Sequence, residues 1–264
     1  MKRLALLALL SALAPAAFAG LSYDFRSDTA GGSRASALSG RTSVEGNGMR
    51  MDLTKGDGTL FQDGAVVLSD DAGKTLHVLN PSDKTYYDLA LYDLLGGAAS
   101  VLKQLGSMVK VTFTDPKVSA REAGDGGKIE GYPTKHSFVD SSYVININMM
   151  GQKMTMPIST STEVWTTREI GAEYANFLQA SKLMTGIEDL DKVIASHLDA
   201  RAAGFPLKQV TTVKVTQGGK ETTSVTTMTV SGIRKETVPP ARFALPSGYT
   251  KVASPIEALM KRVR

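Results

Sequence analysis

The stretch from Val144 to Ser159 constrains the fold of this chain more than any other. From Ile145 to Met149 and again from Lys153 to Ser159 residues alternate in character, with Met150-Gly151-Gln152 between the two runs. Ile145, Ile147 and Met149 alternate with Asn146 and Asn148; Met154, Met156 and Ile158 then alternate with Thr155 and Pro157. A period of two belongs to a strand with one buried face, because successive side chains on a strand point to opposite sides. A two-residue turn at Gly151-Gln152, with the glycine at positive φ, sets Met149 opposite Met154, Ile147 opposite Met156 and Ile145 opposite Ile158. All six then share one face, with Asn146, Asn148, Lys153 and Thr155 on the other. A slip of one residue would destroy that agreement. The arms of this hairpin continue outward towards Phe138 and Trp165.

Most of the chain reads the same way. Leu21 to Phe25 and Met49 to Leu53 alternate with period two, and Gly46-Asn47-Gly48 supplies a turn. Asp63-Gly64 suits a tight hairpin between Thr59-Leu60-Phe61 and Ala65 to Leu68. Two more strands flank Asn80-Pro81-Ser82-Asp83, and a long ladder runs from Lys110 to Thr167. From Leu207 to Ile233 a Thr- and Val-rich hairpin turns at Gly218-Gly219, and the changing phase of Val210, Val213 and Val215 points to a bulge. Two stretches change period. Leu91, Leu94, Leu95, Ala98, Leu102 and Leu105 fit one helical face, and residues 169–203 read as two helices broken near Gly186. The resulting fold class is mainly β with helices (α+β): an antiparallel, curved, incomplete β-barrel with helical segments packed on or in its concave face.

Location is also legible. Lys2 and Arg3 precede an apolar run from Leu4 to Ala14, and Ala17-Phe18-Ala19 has the small-x-small form that signal peptidase reads. The expectation is a signal peptide over residues 1–19, cleaved after Ala19, and a periplasmic protein. One domain is expected over 20–250, with a basic helix or tail over 251–264. The leader carries two of the charges behind the formal net charge of +4, so the exported chain is nearly neutral. No basic block interleaved with aromatics supports nucleic-acid binding, and no later apolar run is long enough for a transmembrane segment. The absence of cysteine excludes disulfides, thiol chemistry and thiolate metal sites.

Catalytic patterns are missing. His77, His136 and His197 lie in no nucleophile or metal motif, and there is no Gly-x-Ser-x-Gly elbow, Walker loop or dinucleotide fingerprint. Asp70-Asp71 and Glu188-Asp189 read as turn and helix-start residues. No enzyme and no cofactor is expected. The candidate ligand-binding or partner-facing residues are Ile145, Ile147, Met149, Met154, Met156, Ile158 and Trp165. Thioether sulfur suits Cu(I), so Met149, Met150, Met154 and Met156 are the alternative, a metal site. Trp165 has a competing role as an anchor where sheet meets helix.

Short motifs recur in a recognisable order: Gly48-Met49-Arg50-Met51-Asp52, Asn80-Pro81-Ser82-Asp83-Lys84-Thr85-Tyr86, Glu130-Gly131-Tyr132-Pro133-Thr134-Lys135, Glu163-Val164-Trp165-Thr166-Thr167, Gly204-Phe205-Pro206-Leu207 and Phe243-Ala244-Leu245-Pro246-Ser247-Gly248-Tyr249. In order and spacing the chain resembles an uncharacterised family of exported bacterial proteins related in fold to the LolA/LolB lipoprotein carriers. The resemblance implies a half-barrel closed by a helical lid around an apolar cavity, and no enzyme. In the carriers that cavity accepts lipoprotein acyl chains, but no ligand residue of theirs matches a position here. The expected function is therefore non-enzymatic periplasmic binding of a lipid, an acylated protein or another apolar ligand. The rivals are a Met-based Cu(I)-binding protein and a structural or regulatory partner of an envelope complex.

Overall fold

The computed structural model describes residues 20–32, 35–58, 60–90, 109–149, 151–171, 191–192, 195, 204–255 and 257. They build one sheet from β1 (Gly20–Gly31), β2 (Ser36–Glu45), β3 (Gly48–Lys55), β4 (Val66–Ser69), β5 (Thr75–Asn80), β6 (Thr85–Ala90), β7 (Val109–Ile129), β8 (Tyr132–Met149), β9 (Gln152–Thr167), β10 (Phe205–Gln217), β11 (Lys220–Glu236) and β12 (Thr250–Lys251). The strand order is β12-β6-β5-β4-β3-β2-β1-β11-β10-β9-β8-β7. Every pairing is antiparallel except that of β12 with β6. The order is open, with β12 at one edge and β7 at the other.

Alternation divides the sheet into two faces. The inner face carries the main core, in which Leu21, Val44, Met49, Val67, Val78 and Leu89 follow one another across β1 to β6. Phe61 from the β3–β4 loop and Ile170 beyond β9 pack on this core, and the Tyr87 hydroxyl donates to the Leu60 carbonyl. On the outer face Val66, Leu68 and Leu79 form a smaller cluster under Tyr86 and Tyr249. The segment after β11 covers that side, through a 3-10 turn at Pro240–Arg242 and the buried Phe243. Phe243 lies so close to Gly48 that a Cβ there would overlap its ring.

The long edge strand β7 shows how the sheet bends. Its register against β8 shifts between Thr114 and Lys117, between Glu122 and Gly124, and between Asp125 and Lys128. Each shift adds a residue to β7, and Asp115, Gly124 and Gly127 adopt positive φ at or within these steps. Such bulges bend and twist a strand, and with Pro116 in the same edge they also spoil it as a template for another chain. At the far end of β7, Glu130-Gly131 forms a turn with both φ positive, and Glu130 Oε2 accepts the Gly232 amide of β11 at 3.0 Å. β8 and β11 are three strand spacings apart, about 14 Å in a flat sheet. The β7–β8 arm therefore curls across the sheet, and the fold is one large curved open sheet.

Several expectations are revised. Gly218 and Gly219 do turn β10 into β11, but that pairing runs from Lys208–Thr229 to Gln217–Lys220 without a shift. Val210 thus points to the outer face and Val213 and Val215 to the inner one. The bulge lies instead between Pro206 and Lys208, against β9. Leu60 and Phe61 are not in a strand; the described residues between β3 and β4 form a loop around the Asp63 carboxylate, which binds Lys55 and the Gly56 amide. Helices packed on the concave face are not supported, because β3–β4 loop residues and Ile170 pack the described core. Among the described residues α-helical geometry is confined to Asp191, Lys192, Ala195, Pro255 and Glu257. The stretch 91–108 expected to be helical, nearly all of 172–203 with Gly186 and His197, and most of the basic segment after Pro255 lie outside the described residues.

Candidate functional site

The hairpin that dominates the sequence is present with a different register. Met149 pairs with Gln152, Ile147 with Met154, Ile145 with Met156 and Tyr143 with Ile158. The last pair before the turn is Met149–Gln152, where Met149–Met154 was expected, so the pairing moves by two residues and not by one. A shift of two preserves the face. Ile145, Ile147, Met149, Met154, Met156 and Ile158 therefore share one side, joined by Tyr143 and Gln152.

That side is the inner face. The β8–β9 pairing is continuous from Lys135–Thr166 to Met149–Gln152, so the six residues stand in line with Val139 and Val164, both at 0% exposure. Burial then fades along the strands. Ile145, Ile147, Met156 and Ile158 are half-buried, Met154 is 37% exposed and Met149 is 52% exposed. β7 adds Val111 opposite Ile147 and Phe113 opposite Ile145, and the Phe113 and Tyr143 rings lie 6.1 Å apart. Burial pushes the Tyr143 phenol above its ordinary pKa. β10 adds Val215 opposite Ile158, and Gln217 Nε2 donates to Met154 Sδ at 3.3 Å. None of these residues is charged, although Lys220, the partner of Gln217 across the β10–β11 turn, falls on the same face. Lys110, Lys117, Asp140, Lys153 and Lys214 all alternate to the outer side.

Trp165 is not brought together with these six residues. It pairs with His136 and with Lys208 on the outer face. Its ring stacks on the His136 ring at 4.2 Å and 7°, and Lys208 Nζ caps its other side at 4.5 Å. Phe138 extends the row at 4.7 Å from His136 and is itself capped by Arg121 at 3.5 Å. Both flanks of the indole are thus occupied by its own chain, which is the arrangement of an anchor across β7 to β10. His136 Nε2 lies 3.3 Å from Glu163 Oε2, within ion-pair reach but out of line for a hydrogen bond.

Farther along the outer face an open groove of about 610 Å³ is lined by Lys117, Ser119, Asp140, Ser142, Ser161 and Lys214, among others. Serines, threonines and three charged residues make up most of its lining, and it lies on the opposite side from the apolar patch. His77 binds Asp88 through Nδ1 at 2.7 Å, and Lys251 takes the other carboxylate oxygen at 2.6 Å. This trio ties β12 to β5 and β6. Among the described residues no group of histidine and carboxylate side chains could hold a metal ion, and no helix is long and apolar enough to cross a membrane. Of the four methionines considered for Cu(I), Met149, Met154 and Met156 share the inner face, and Met150 lies outside the described residues.

The inner-face patch was legible from periodicity; the Trp165 stack was not. Its signal was the short spacing of His136, Phe138, Glu163 and Trp165 on two paired strands, which has meaning only once their register is known.

No curated protein matches this sequence. Among solved structures, it is similar to a domain assigned to outer membrane lipoprotein sorting from Vibrio parahaemolyticus. The identity is 11%, the coverage 86% of this chain and 89% of that one, and the TM-score 0.32. For a DUF1329 family protein from Desulfovibrio piger the figures are 8%, 87%, 91% and 0.30. For MucB, solved in complex with MucA(peri), they are 11%, 83%, 94% and 0.21. The first of these is of the kind named by the sequence resemblance. Scores of this size carry no argument about ligand or mechanism, and the half-barrel description rests on the strand order and curl above. The sequence comparison is firmer: residues 39–249 match the family described as domain of unknown function DUF4412, and the chain belongs to that family.

Proposed function

We propose that this is a non-enzymatic binding protein of the bacterial periplasm that holds an acyl chain, of a lipid or an acylated protein, on the inner face of β7 to β10. One observation carries the reading. The six apolar residues from Ile145 to Ile158 continue a fully buried row, carry no charge among them, and are left half-exposed to exposed. Burying one such side chain stabilises a complex by about 1.5–3 kcal/mol, so a few of them can retain a chain without a charged contact. Two methionines at the open end suit a chain of variable length, since the thioether side chain is unbranched and polarizable. The expected leader agrees with an exported binding protein, and 20–250 is taken as its single domain.

The test is native mass spectrometry of the exported protein, with organic extraction, alongside binding of a dansyl-labelled fatty acid. A co-purifying acyl species and its loss in Met154→Asp, at an unchanged melting temperature, support the reading. An unfolded Met154→Asp protein would instead make these residues core. A clean mass with no fatty-acid binding by the wild type would move the assignment to a protein partner seated on the same hairpin.

A further inference from the structure

We propose that Met149 and Met154 are a reversible oxidation site, and that their sulfoxides switch off binding at the inner face. The switch rests on the reading just given; the modification itself does not. The chain has no cysteine, so thioethers are its softest nucleophiles. The fold sorts them by access. Met49 is 5% exposed within the core, and Met51, Met156 and Met228 are half-buried, whereas Met154 and Met149 are 37% and 52% exposed. Met149 and Met154, the two exposed methionines among the described residues, lie on the same inner face, diagonal to one another across the end of the β8–β9 hairpin.

The second observation is the Gln217 amide. It comes from the β10–β11 turn and donates to Met154 Sδ at 3.3 Å. A thioether is a weak acceptor and a sulfoxide oxygen a strong one. The oxidised Met154 side chain therefore meets a donor already in place, and the strands need not move to satisfy it. The co-reactant is a peroxide. The sulfur lone pair attacks one peroxide oxygen, the O–O bond breaks and the S–O bond forms. The sulfur loses two electrons, and the departing oxygen takes up a proton and leaves as water. Reductases specific for each sulfoxide epimer return the thioether. Chemically, the product replaces apolar surface at the mouth of the patch with a polar, chiral group, which an acyl chain cannot satisfy by hydrogen bonding.

The experiment uses the full exported chain, treated with limiting hydrogen peroxide, quenched, and mapped by peptide mass. Among the described methionines the expected order of one-oxygen mass gain is Met149 and Met154 first and Met49 last, with the difference erased in urea. Equal rates in the folded protein would overturn the site. Binding of the dansyl-labelled fatty acid is then measured before oxidation, after it, and after treatment with both reductases. The expected change is a weakening of roughly tenfold or more, reversed by reduction, at an unchanged melting temperature. In the double variant Met149→Leu/Met154→Leu peroxide should produce no change in probe affinity, measured against the same variant untreated, because the oxidisable sulfurs are gone. Undiminished binding by the oxidised wild type would overturn the switch while leaving the acyl-chain reading intact. Failure of the untreated protein to bind the probe would overturn that reading and the switch together, and the mass map would still decide the modification.

Discussion

Along β1 to β6 the inner face is dry, and along the hairpin end of β7 to β9 it is half wet, although both stretches alternate in the same way. Leu21, Val44, Val67, Val78 and Leu89 are at most 2% exposed. Ile145, Ile147, Met156 and Ile158 point to the same side of the same sheet and are only half-buried. The difference lies in what is laid over the strands. In the first half the β3–β4 loop brings Phe61 down on the core, and Phe205, Leu207 and Ile170 arrive from the neighbouring strands and the turn after β9. Alternation thus determines which side a residue takes, and covering decides whether that side serves stability or binding.

The sharpest way to break this contrast is to truncate one residue in each half. Leu21→Ala removes a fully buried side chain and should cost about 2–5 kcal/mol, the range for large-to-small core changes. Met154→Ala, on the same face but 37% exposed, should cost about 0.5 kcal/mol, as surface positions do. Urea unfolding of the two variants measures both. Comparable losses would mean that the hairpin is core like the rest of the sheet, and the binding reading would lose its foundation.

That contrast also marks how far the sequence could be read. The six residues of the hairpin face were legible because period two is insensitive to a two-residue shift, and the actual register differs from the expected one by that amount. Trp165 sits on the outward continuation of the same arm, which is why the sequence pattern alone places it with them. Its odd position on β9, against the even positions of Met154, Met156 and Ile158, sends it to the other face. The bulges of β7 were illegible for a different reason. Asp115 adopts positive φ without being glycine, and an extra residue in a strand is visible only against its partner. The sequence reading of Val210, Val213 and Val215 made the converse error, taking residues of opposite faces for a break in one.

Trp165 gives the next test, smaller in energy and sharper in direction. Trp165→Leu abolishes the stack on His136 and the contact with Lys208 while retaining an apolar side chain. The expected cost is about 0.5–1.5 kcal/mol, the worth of an aromatic pair beyond its area. Fatty-acid binding should not change, because the indole lies on the outer face. A binding defect at unchanged stability would show that the ligand reaches that face, and would place the outer groove beside Asp140 and Lys117 in the binding path.

The smallest effect concerns the two edges of the sheet, which are closed by different means. β7 is protected by its own bulges and Pro116, whereas the described residues cover β6 with the two residues of β12. Two amide bonds hold that cover, Thr250 to the Lys84 carbonyl and Val252 to the Tyr86 carbonyl, with Asp88 bridging His77 and Lys251 beside them. Burial pushes the Asp88 carboxyl up, but hydrogen bonds from Lys251 and His77 more than offset it, leaving it below the usual carboxylate range. A carboxyl depressed in the folded state contributes stability that is complete above its unfolded pKa, about 3.9. The contribution is lost as the pH falls through the folded value. Lys251 is raised, mainly by its hydrogen bond to Asp88, so its share is present below about 10.4 and is lost only as the pH rises through its own folded value. The bridge therefore opens on the acid side first. Amide exchange at Thr250 and Val252, corrected for intrinsic rates, should quicken below about pH 4, and in Lys251→Gln it should already be faster at neutral pH. Exchange within β7 to β9 should show neither change, because no residue of the Asp88 bridge touches those strands. If Thr250 and Val252 stay protected in acid and in Lys251→Gln, the backbone pair alone closes the β6 edge, and both edges of the sheet are held without help from charge.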